Sequence, residues 1–333
     1  MGRLVGLFGR PFVDLEPLIA PLIDDAGFAA IDREVTRGLA ELDVVGQTGG
    51  SLKHMGIVAP WVVDDGYRDY GHVIDDFDFA QWQELVSLAD DPAIFADAAS
   101  NGSWREVRFG DETEHPLNAR QIRFLTYAHG VYFPWKVSVH LLENVLWQDK
   151  HSGRGKRFTD DAEQLFPTTT ALIRSLPFSE IGRVVIFGLL PNDHAPAHRD
   201  SEPGKDLTIA QSMSLCPRGD KRFYVTDPDH DDEIVVDTRA YWFNDMDYHG
   251  VRADPFFRYS IRIDGVYRSS FLKDIERHAR RRSAAATASV AAIEPLRQFP
   301  SQAQSSSSSS SSSTTTVATL SEAGSVKPLS RRV

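Results

Sequence analysis

Two histidines and one aspartate form the most distinctive pattern in this sequence of 333 residues. His198 and Asp200 are separated by one residue, and His249 follows at a distance. Two neutral imidazoles and one carboxylate on a single face bind Fe(II) and leave three coordination positions open. Arg258 and Ser260, which follow His249, supply donors that match a carboxylate. The set predicts a non-haem iron site with an anchor for an anionic cosubstrate.

A second His-x-Asp triplet begins at His230, so the triplet alone is a weak signal. The surrounding residues Asp227-Pro228-Asp229 and Asp231-Asp232 are typical of a turn between strands. From Asp232 to His249 there is room for about one hairpin. A barrel needs several strands before a later histidine returns beside the first pair. We therefore interpret His230 as a turn residue and His198 with Asp200 as the ligand pair.

Short strands separated by turns surround these residues. Apolar or alternating runs, bounded by Gly, Pro, Asn and Asp, predict an antiparallel barrel. The predicted strands are Arg183 to Leu190, Leu207 to Cys216, Arg222 to Thr226, Glu233 to Val236, Tyr241 to Asn244, Tyr248 to Arg252 and Phe256 to Gly265.

The last predicted strand has one polar face. Side chains alternate with period two along a strand, so Arg258, Ser260 and Arg262 share a face. The apolar residues Tyr259 and Ile261 lie on the other face, with Phe257 and Ile263. We expect the polar face to line a wet pocket in which an arginine and a serine hold a carboxylate.

Several motifs occur together between Phe166 and Val266. They are Phe166-Pro167-Thr168-Thr169-Thr170-Ala171-Leu172-Ile173, Ile181-Gly182-Arg183-Val184-Val185-Ile186, Pro191 before His198, Lys221-Arg222-Phe223-Tyr224-Val225, Trp242-Phe243-Asn244-Asp245 before His249, and Phe256-Phe257-Arg258. In these motifs the chain resembles the Fe(II)/2-oxoglutarate-dependent dioxygenase superfamily and, within it, the aspartyl/asparaginyl β-hydroxylase-like branch. The resemblance implies a mainly β fold, a double-stranded β-helix (a jelly-roll or cupin-like barrel), with flanking helices.

The resemblance also implies an activity. Fe(II) bound by His198, Asp200 and His249, with 2-oxoglutarate and O2, would hydroxylate an amino acid, free or within a peptide, while 2-oxoglutarate is converted to succinate and CO2. In that family an arginine about ten residues after the distal histidine binds 2-oxoglutarate, which ranks Arg258 ahead of Arg262. Because Asp200 completes the triad, no position is left for a halide, and hydroxylation is expected rather than halogenation.

One departure from the family concerns the cosubstrate. A serine and a histidine that help to bind it in some branch members fall at Phe187 and Gln211 in this chain; Gln211 can still donate a hydrogen bond, whereas Phe187 cannot.

Two other interpretations of the function stay open. One is a cupin-type metalloenzyme that does not use 2-oxoglutarate, which Arg258 and Ser260 argue against. The other is a non-catalytic barrel that serves as a binding module.

Four regions are predicted along the chain: residues 1–115 as a mostly helical region packed outside the barrel, 116–272 as the dioxygenase core, 273–283 as a basic helix, and 284–333 as a disordered Ser/Thr/Ala-rich tail. The predicted helices are Asp14 to Ile23, Phe28 to Leu42, Asp78 to Phe95, Asp160 to Leu176 and Phe271 to Arg282. Arg120 to His129 and Tyr132 to Leu142 are predicted as a strand pair, and Gly49 to His54, with Trp61 and His72, as a lid over the site.

Composition narrows the classes of partner. The net charge of −11 argues against nucleic-acid or anionic-membrane binding, because it repels phosphates, and a cationic peptide or a small amino acid is better tolerated. Cys216 is the only cysteine, which excludes an internal disulfide and fits a reducing cytoplasm. No apolar run is long enough to span a bilayer. The oligomeric state and the identity of the substrate stay open.

Overall fold

Two antiparallel sheets carry the residues singled out above. The computed structural model describes residues 10–42, 56–58, 69–110, 113–143, 150–200, 210–227 and 232–280. The strands in these ranges are β1 (Phe12–Asp14), β2 (Ile57–Val58), β3 (Val131–Tyr132), β4 (Val137–His140), β5 (Phe178–Leu189), β6 (Ala195–His198), β7 (Gln211–Leu215), β8 (Phe223–Asp227), β9 (Asp232–Val235), β10 (Ala240–Phe243), β11 (Tyr248–Val251) and β12 (Arg258–Tyr267).

The larger sheet has six strands in the order β1-β10-β7-β12-β5-β4, and the smaller has four in the order β6-β11-β8-β9. β2 and β3 form a separate pair. From β5 to β12 the chain passes from one sheet to the other at every step except between β8 and β9, which are neighbours in the smaller sheet. Each of the seven predicted strands overlaps an observed strand, so that prediction is confirmed for the described residues.

Helices flank the sheets. They are α1 (Glu16–Ile19), α2 (Asp25–Glu41), α3 (Tyr70–Asp75), α4 (Phe79–Ser87), α5 (Ala96–Asn101), α6 (Ala119–His129), α7 (Asp160–Leu165) and α8 (Pro167–Ser175), with 3-10 turns at Pro92–Phe95 and Ser103–Glu106. The chain is also helical from residue 269 to 280, where the described part ends.

Alternation along β12 separates an apolar face from a polar one. Tyr259, Ile261 and Ile263 belong to the main apolar core, which also takes side chains from α2, α8 and the helix at 269–280. Full burial of each large apolar side chain stabilises the fold by about 1.5–3 kcal/mol. Ser260 and Arg262, on the opposite face, line a cavity that side chains of both sheets surround. The predicted apolar face is therefore confirmed, and the predicted pocket lining is confirmed for Ser260 and Arg262 but not for Arg258.

A second apolar cluster lies among α3, α4 and α6, around Trp82, Leu85 and Leu125. Each of these three helices begins with a capping box, in which the N-cap residue and the residue three positions later bond each other's backbone N–H.

The predicted strand from Arg120 to His129 is wrong, because these residues form α6. Asn118 accepts hydrogen bonds from the N–H groups of Arg120 and Gln121, and Gly130 ends the helix with a positive φ of 68°. An N-cap and a C-terminal glycine mark the ends of a helix. The apolar side chains in between follow a helical spacing, which outweighs the strand preference of the aromatic residues.

The predicted helix from Asp14 to Ile23 is also shorter than expected. Phe12–Asp14 forms β1, which pairs with β10, and only Glu16–Ile19 is helical. The helix predicted from Asp160 to Leu176 divides at Phe166, where Pro167 begins α8. Proline is favoured at the first position of a helix and is excluded from its interior.

Some predictions fall outside the described residues. They are the Gly49 to His54 segment and Trp61 of the proposed lid, the turn at His230, the last residues of the basic helix, 281–283, and the tail at 284–333. Within the described residues, no helix combines the length and the apolar character needed to cross a membrane.

Gly38 offers a test of how α2 packs on α8. A Cβ atom at this buried position would overlap the ring of Phe166, which is fully buried. We predict that Gly38→Ala lowers the free energy of unfolding by about 1–3 kcal/mol through overpacking, measured by urea denaturation. At the exposed Ala29 of the same helix, alanine is the better residue, and Ala29→Gly should cost about 0.5–1 kcal/mol. A Gly38→Ala protein that is more stable than the original would contradict this packing.

Candidate metal centre

The pairing of β6 with β11 brings the two candidate histidines together. These strands are antiparallel, and His198 lies directly opposite His249. The ring centroids are 4.5 Å apart, and both side chains are buried. β6 contains Pro196, which lacks an N–H, and it lies at the edge of the four-stranded sheet, where a proline is tolerated.

Asp200 completes the group from the segment that follows β6. Its N–H donates to the carbonyl of Asp245 at 3.0 Å. Its Oδ1 lies 3.6 Å from Nε2 of His198 and 3.4 Å from Nε2 of His249. The three ligand atoms all lie within 4.8 Å of one another. The side chain of Asp200 is 31% exposed, whereas the imidazoles are nearly inaccessible, so the site opens on the Asp200 side.

Backbone carbonyls determine which nitrogen of each imidazole faces Asp200. Nδ1 of His198 lies 2.7 Å from the carbonyl of Pro196, and Nδ1 of His249 lies 2.9 Å from that of Asp247. Because a carbonyl only accepts, Nδ1 must be the protonated donor in both rings. Each Nε2 then presents a lone pair, which is how metal-binding histidines are oriented.

The protonation states also suit metal binding. Burial lowers the pKa of His249 below its ordinary value of 6.5, which favours the neutral ring. Burial would raise the pKa of Asp200, but the adjacent His249 and His198, which attract the carboxylate when they are protonated, outweigh it and hold that pKa well below 3.8. A neutral imidazole and an ionised carboxylate are the forms that bind metals. The donor set of two nitrogens and one carboxylate therefore fits Fe(II).

Aromatic rings enclose the imidazoles. The ring of Phe243 lies 4.6 Å from that of His249, and Phe223 lies 5.6 Å from it. Trp135 lies 6.5 Å from His198. These contacts restrict the rings of both histidines and limit the access of water from between the two sheets.

The histidines share one cavity, which we call the central cavity, with a group of cations. It is lined by His198, Asp200, His249, Lys221, Ser260 and Arg262, among others. Asp264 lies between Arg183, at 2.9 Å, and Arg262, at 3.0 Å. Burial would raise the pKa of Asp264, but these two guanidinium groups lower it to about 2, so this carboxylate stays ionised.

Arg262 keeps donor capacity for a ligand. Its Nε donates to Asp264, and the guanidinium carbon lies 4.5 Å from the centre of the Phe243 ring. Its Nη2 is buried and makes no hydrogen bond with the described residues. A buried donor without a partner is costly, which points to a ligand that accepts from it.

Lys221 is a site residue that the sequence analysis missed. It is 6% exposed, donates to Oγ of Ser260, and lies 5.3 Å from the centre of the Trp135 ring. It makes no ion pair with a carboxylate among the residues the structure describes. Burial lowers its pKa to about 8. No local pattern signals this position, because Lys221 lies before β8 and the left-handed backbone of Arg222 interrupts the alternation of a strand.

Two predicted cosubstrate residues lie elsewhere. Arg258 is fully buried outside the lining of the central cavity, where its Nη2 donates to the carbonyl of Asp193 at 2.7 Å and Nη1 lies 3.2 Å from Asp254. Oε1 of Gln211 accepts from the N–H of Tyr267 at 2.7 Å. The structure thus brings together the metal triad, Ser260 and Arg262, but neither Arg258 nor Gln211. Of the two candidate arginines, Arg262, ranked second by sequence, is the one that lines the cavity, and Arg183 lines it as well.

No protein-family model matches this sequence, and no curated protein matches it. Among solved structures, similarity extends to an oxidoreductase of the 2OG-Fe(II) oxygenase family from Burkholderia pseudomallei, with a TM-score of 0.27 and 14% identity over 38% of this chain and 66% of that chain. A Pseudomonas putida prolyl-4-hydroxylase has a TM-score of 0.24 and 12% identity over 40% of this chain and 72% of that one.

A third similar structure is a prolyl hydroxylase from Trichoplax adhaerens in complex with a hypoxia inducible factor peptide fragment, with a TM-score of 0.24 and 12% identity over 40% of this chain and 74% of that one. Similarity at this level establishes neither family membership nor activity. A function must therefore be argued from the site residues.

Metal titration tests the triad. We predict that Asp200→Ala or His249→Ala lowers the affinity for Fe(II), or for Co(II) as a spectroscopic substitute, by about 100-fold or more, since changes to outer partners alone cost about 10–100-fold. His194→Ala is the matched control, because His194 lies near the triad in sequence but stacks on Tyr132 instead. Unchanged affinity in both triad variants would show that the metal binds elsewhere.

Proposed function

We propose that this chain is an Fe(II)/2-oxoglutarate-dependent dioxygenase that hydroxylates an amino acid, free or within a peptide. One observation supports this most strongly: the His198–Asp200–His249 group shares a cavity with Lys221 and Arg262. A metal triad alone fits many metalloenzymes. A metal triad beside buried cations with spare donors fits a reaction in which an anionic cosubstrate is held next to the metal.

When bound, Fe(II) with 2-oxoglutarate and O2 supplies an oxidative decarboxylation that yields succinate and CO2 and inserts one oxygen atom into a C–H bond. His198, Asp200 and His249 hold the metal on one side and leave the other positions to cosubstrate and oxygen. Because Asp200 occupies the carboxylate position, the site favours hydroxylation over halogenation.

Lys221, Ser260 and Arg262 would bind the far carboxylate of 2-oxoglutarate. The hydroxyl of Ser260 accepts from Lys221, so its own O–H is available to donate. Lys221 adds further N–H donors, and Nη2 of Arg262 adds the donors that lack a partner. Charge-assisted hydrogen bonds of this kind are the strong ones. Asp264 holds the Nε edge of Arg262 and thereby orients the guanidinium group.

The walls of the cavity also have a role. Trp135 and Phe187, whose ring centroids are 5.5 Å apart, cover the side where a polar residue would otherwise contact the cosubstrate. They exclude water from the cations and so strengthen each charge interaction. Substrate would enter on the Asp200 side, the exposed edge of the triad. The net charge of −11 makes a cationic peptide or a small amino acid the better-tolerated substrate.

The sheet topology supports a double-stranded β-helix as the fold behind this site. Consecutive strands from β5 to β12 alternate between two facing sheets, with one hairpin at β8 and β9, and the site lies between them. This arrangement is typical of a jelly roll. Membership of the aspartyl/asparaginyl β-hydroxylase-like branch and a cytoplasmic location are part of the same proposal.

The decisive experiment is anaerobic addition of Fe(II) and 2-oxoglutarate, with a search for the weak visible absorption of the chelate. Admission of air should then produce succinate and, with a substrate from a panel of amino acids and peptides, a product heavier by one oxygen atom. Asp200→Ala should abolish both signals. Metal binding without any effect of 2-oxoglutarate would favour a cupin-type metalloenzyme, and the absence of metal binding would favour a binding module.

The charge of Lys221 should make the affinity for 2-oxoglutarate depend on pH. The ammonium group is present below its pKa of about 8 and is lost above it. We therefore expect the dissociation constant of 2-oxoglutarate to rise by up to about five-fold from pH 8 to pH 9, as the charged fraction of Lys221 falls, measured by calorimetry with Mn(II) in place of iron. Lys221→Met should weaken binding at pH 7 by about 10–100-fold and remove this rise.

Lys273→Met is the control for the loss of a lysine, because Lys273 is exposed on the helix at 269–280. It should bind 2-oxoglutarate as the original protein does. If Lys221→Met keeps both the affinity and its pH dependence, another residue anchors the cosubstrate.

A further inference from the structure

Two residues other than glycine in the described part of the chain have a left-handed backbone conformation. They are Asn192, with φ of 65°, and Arg222, with φ of 53°. Residues other than glycine adopt this conformation at a cost, and asparagine tolerates it better than arginine. Such strain persists only where surrounding contacts enforce it.

Both strained residues bond to Asp254. The N–H of Asn192 donates to the carbonyl of Asp254 at 2.7 Å, and Nη1 of Arg222 lies 2.9 Å from its Oδ1. The other carboxylate oxygen of Asp254 lies 3.2 Å from Nη1 of Arg258. The side chain of Asp254 is only 9% exposed, whereas that of Arg222 is 46% exposed.

The contact between Arg222 and Asp254 affects the position of Lys221. Arg222 directly follows Lys221, and its carbonyl accepts from the N–H of Arg252 at 3.2 Å. Its backbone conformation determines where the chain places Lys221 as β8 begins. Lys221 is buried in the central cavity without a carboxylate partner among the described residues, so exposure to water would otherwise be favourable for its ammonium group.

We propose that Asp254 is a positioning residue that, through Arg222, holds Lys221 in the central cavity. Arg258 then belongs to the same group of contacts around Asp254, since it binds Asp254 and the carbonyl of Asp193 and not the cosubstrate. Through its bond to Asn192, Asp254 also holds the turn that leads into β6, the strand of His198. This inference rests on the proposed function only in giving Lys221 a ligand.

The test compares Asp254→Asn, which keeps the size of the side chain and removes its charge, with Arg222→Gln. Arg222 is exposed, so Arg222→Gln carries the test even if Asp254→Asn fails to fold. Both variants should raise the dissociation constant of 2-oxoglutarate, measured with Mn(II), by about ten-fold. The affinity for Mn(II) alone should stay unchanged. The double variant should be no weaker than the weaker single variant, because the two residues act through one contact.

A second measurement does not depend on 2-oxoglutarate. An amine-reactive reagent, with peptide mapping by mass spectrometry, reports the accessibility of Lys221. It should label Lys221 slowly in the original protein and several-fold faster in both variants. Glu233→Gln is the matched control, because it also converts a carboxylate to an amide and breaks a pair with Arg252, two residues before Asp254. It should change neither labelling nor affinity.

The two proposals fail separately. If Asp254→Asn and Arg222→Gln leave Lys221 protected and the 2-oxoglutarate affinity unchanged, the positioning role is overturned. If both variants expose Lys221 while Lys221→Met binds 2-oxoglutarate normally, the positioning role is supported and the role of Lys221 in binding the cosubstrate is overturned.

Discussion

The antiparallel register between β6 and β11 is the constraint on which the rest of the site depends. It places His198 opposite His249, and a shift of one residue would turn one imidazole to the outer face of the sheet. Carbonyls two residues before each histidine then orient both rings. Asp200 needs only a short continuation beyond β6 to reach the same point. The metal centre therefore depends on strand pairing more than on any single loop.

The distribution of charge in the central cavity is the second feature that determines what the site can bind. Most buried cations in proteins are neutralised by carboxylates, and Arg183 with Asp264 follows that rule. Lys221 lies instead against the ring of Trp135, and Arg262, which shares Asp264 with Arg183, also lies against the ring of Phe243. Aromatic faces stabilise a cation without consuming its charge or all its donors. The cavity thus keeps positive charge for an anion close to a metal site.

Parts of the fold were predictable because they depend on local rules. The strand alternation around Ser260 and Arg262 follows from a period of two, and the observed β12 agrees with it. α6 was predicted as a strand because its aromatic residues favour sheets, although the Asn118 cap and Gly130 signal a helix. β6 was not predicted, since Ala-Pro-Ala-His lacks strand-forming residues and is held in place by β11. Its conformation comes from a partner distant in sequence.

The sequence by itself determined the candidate triad, the short-strand pattern and the polar face of β12, because residue types and periodicity encode them directly. Only the tertiary structure decided which cations reach the cavity. Arg258 and Arg262 share a face and are equivalent by alternation, yet Arg258 pairs with Asp254 and donates to the carbonyl of Asp193. Lys221 enters the cavity because Arg222 adopts a left-handed backbone that contacts far along the chain enforce. Such choices depend on partners distant in sequence, which local patterns do not specify.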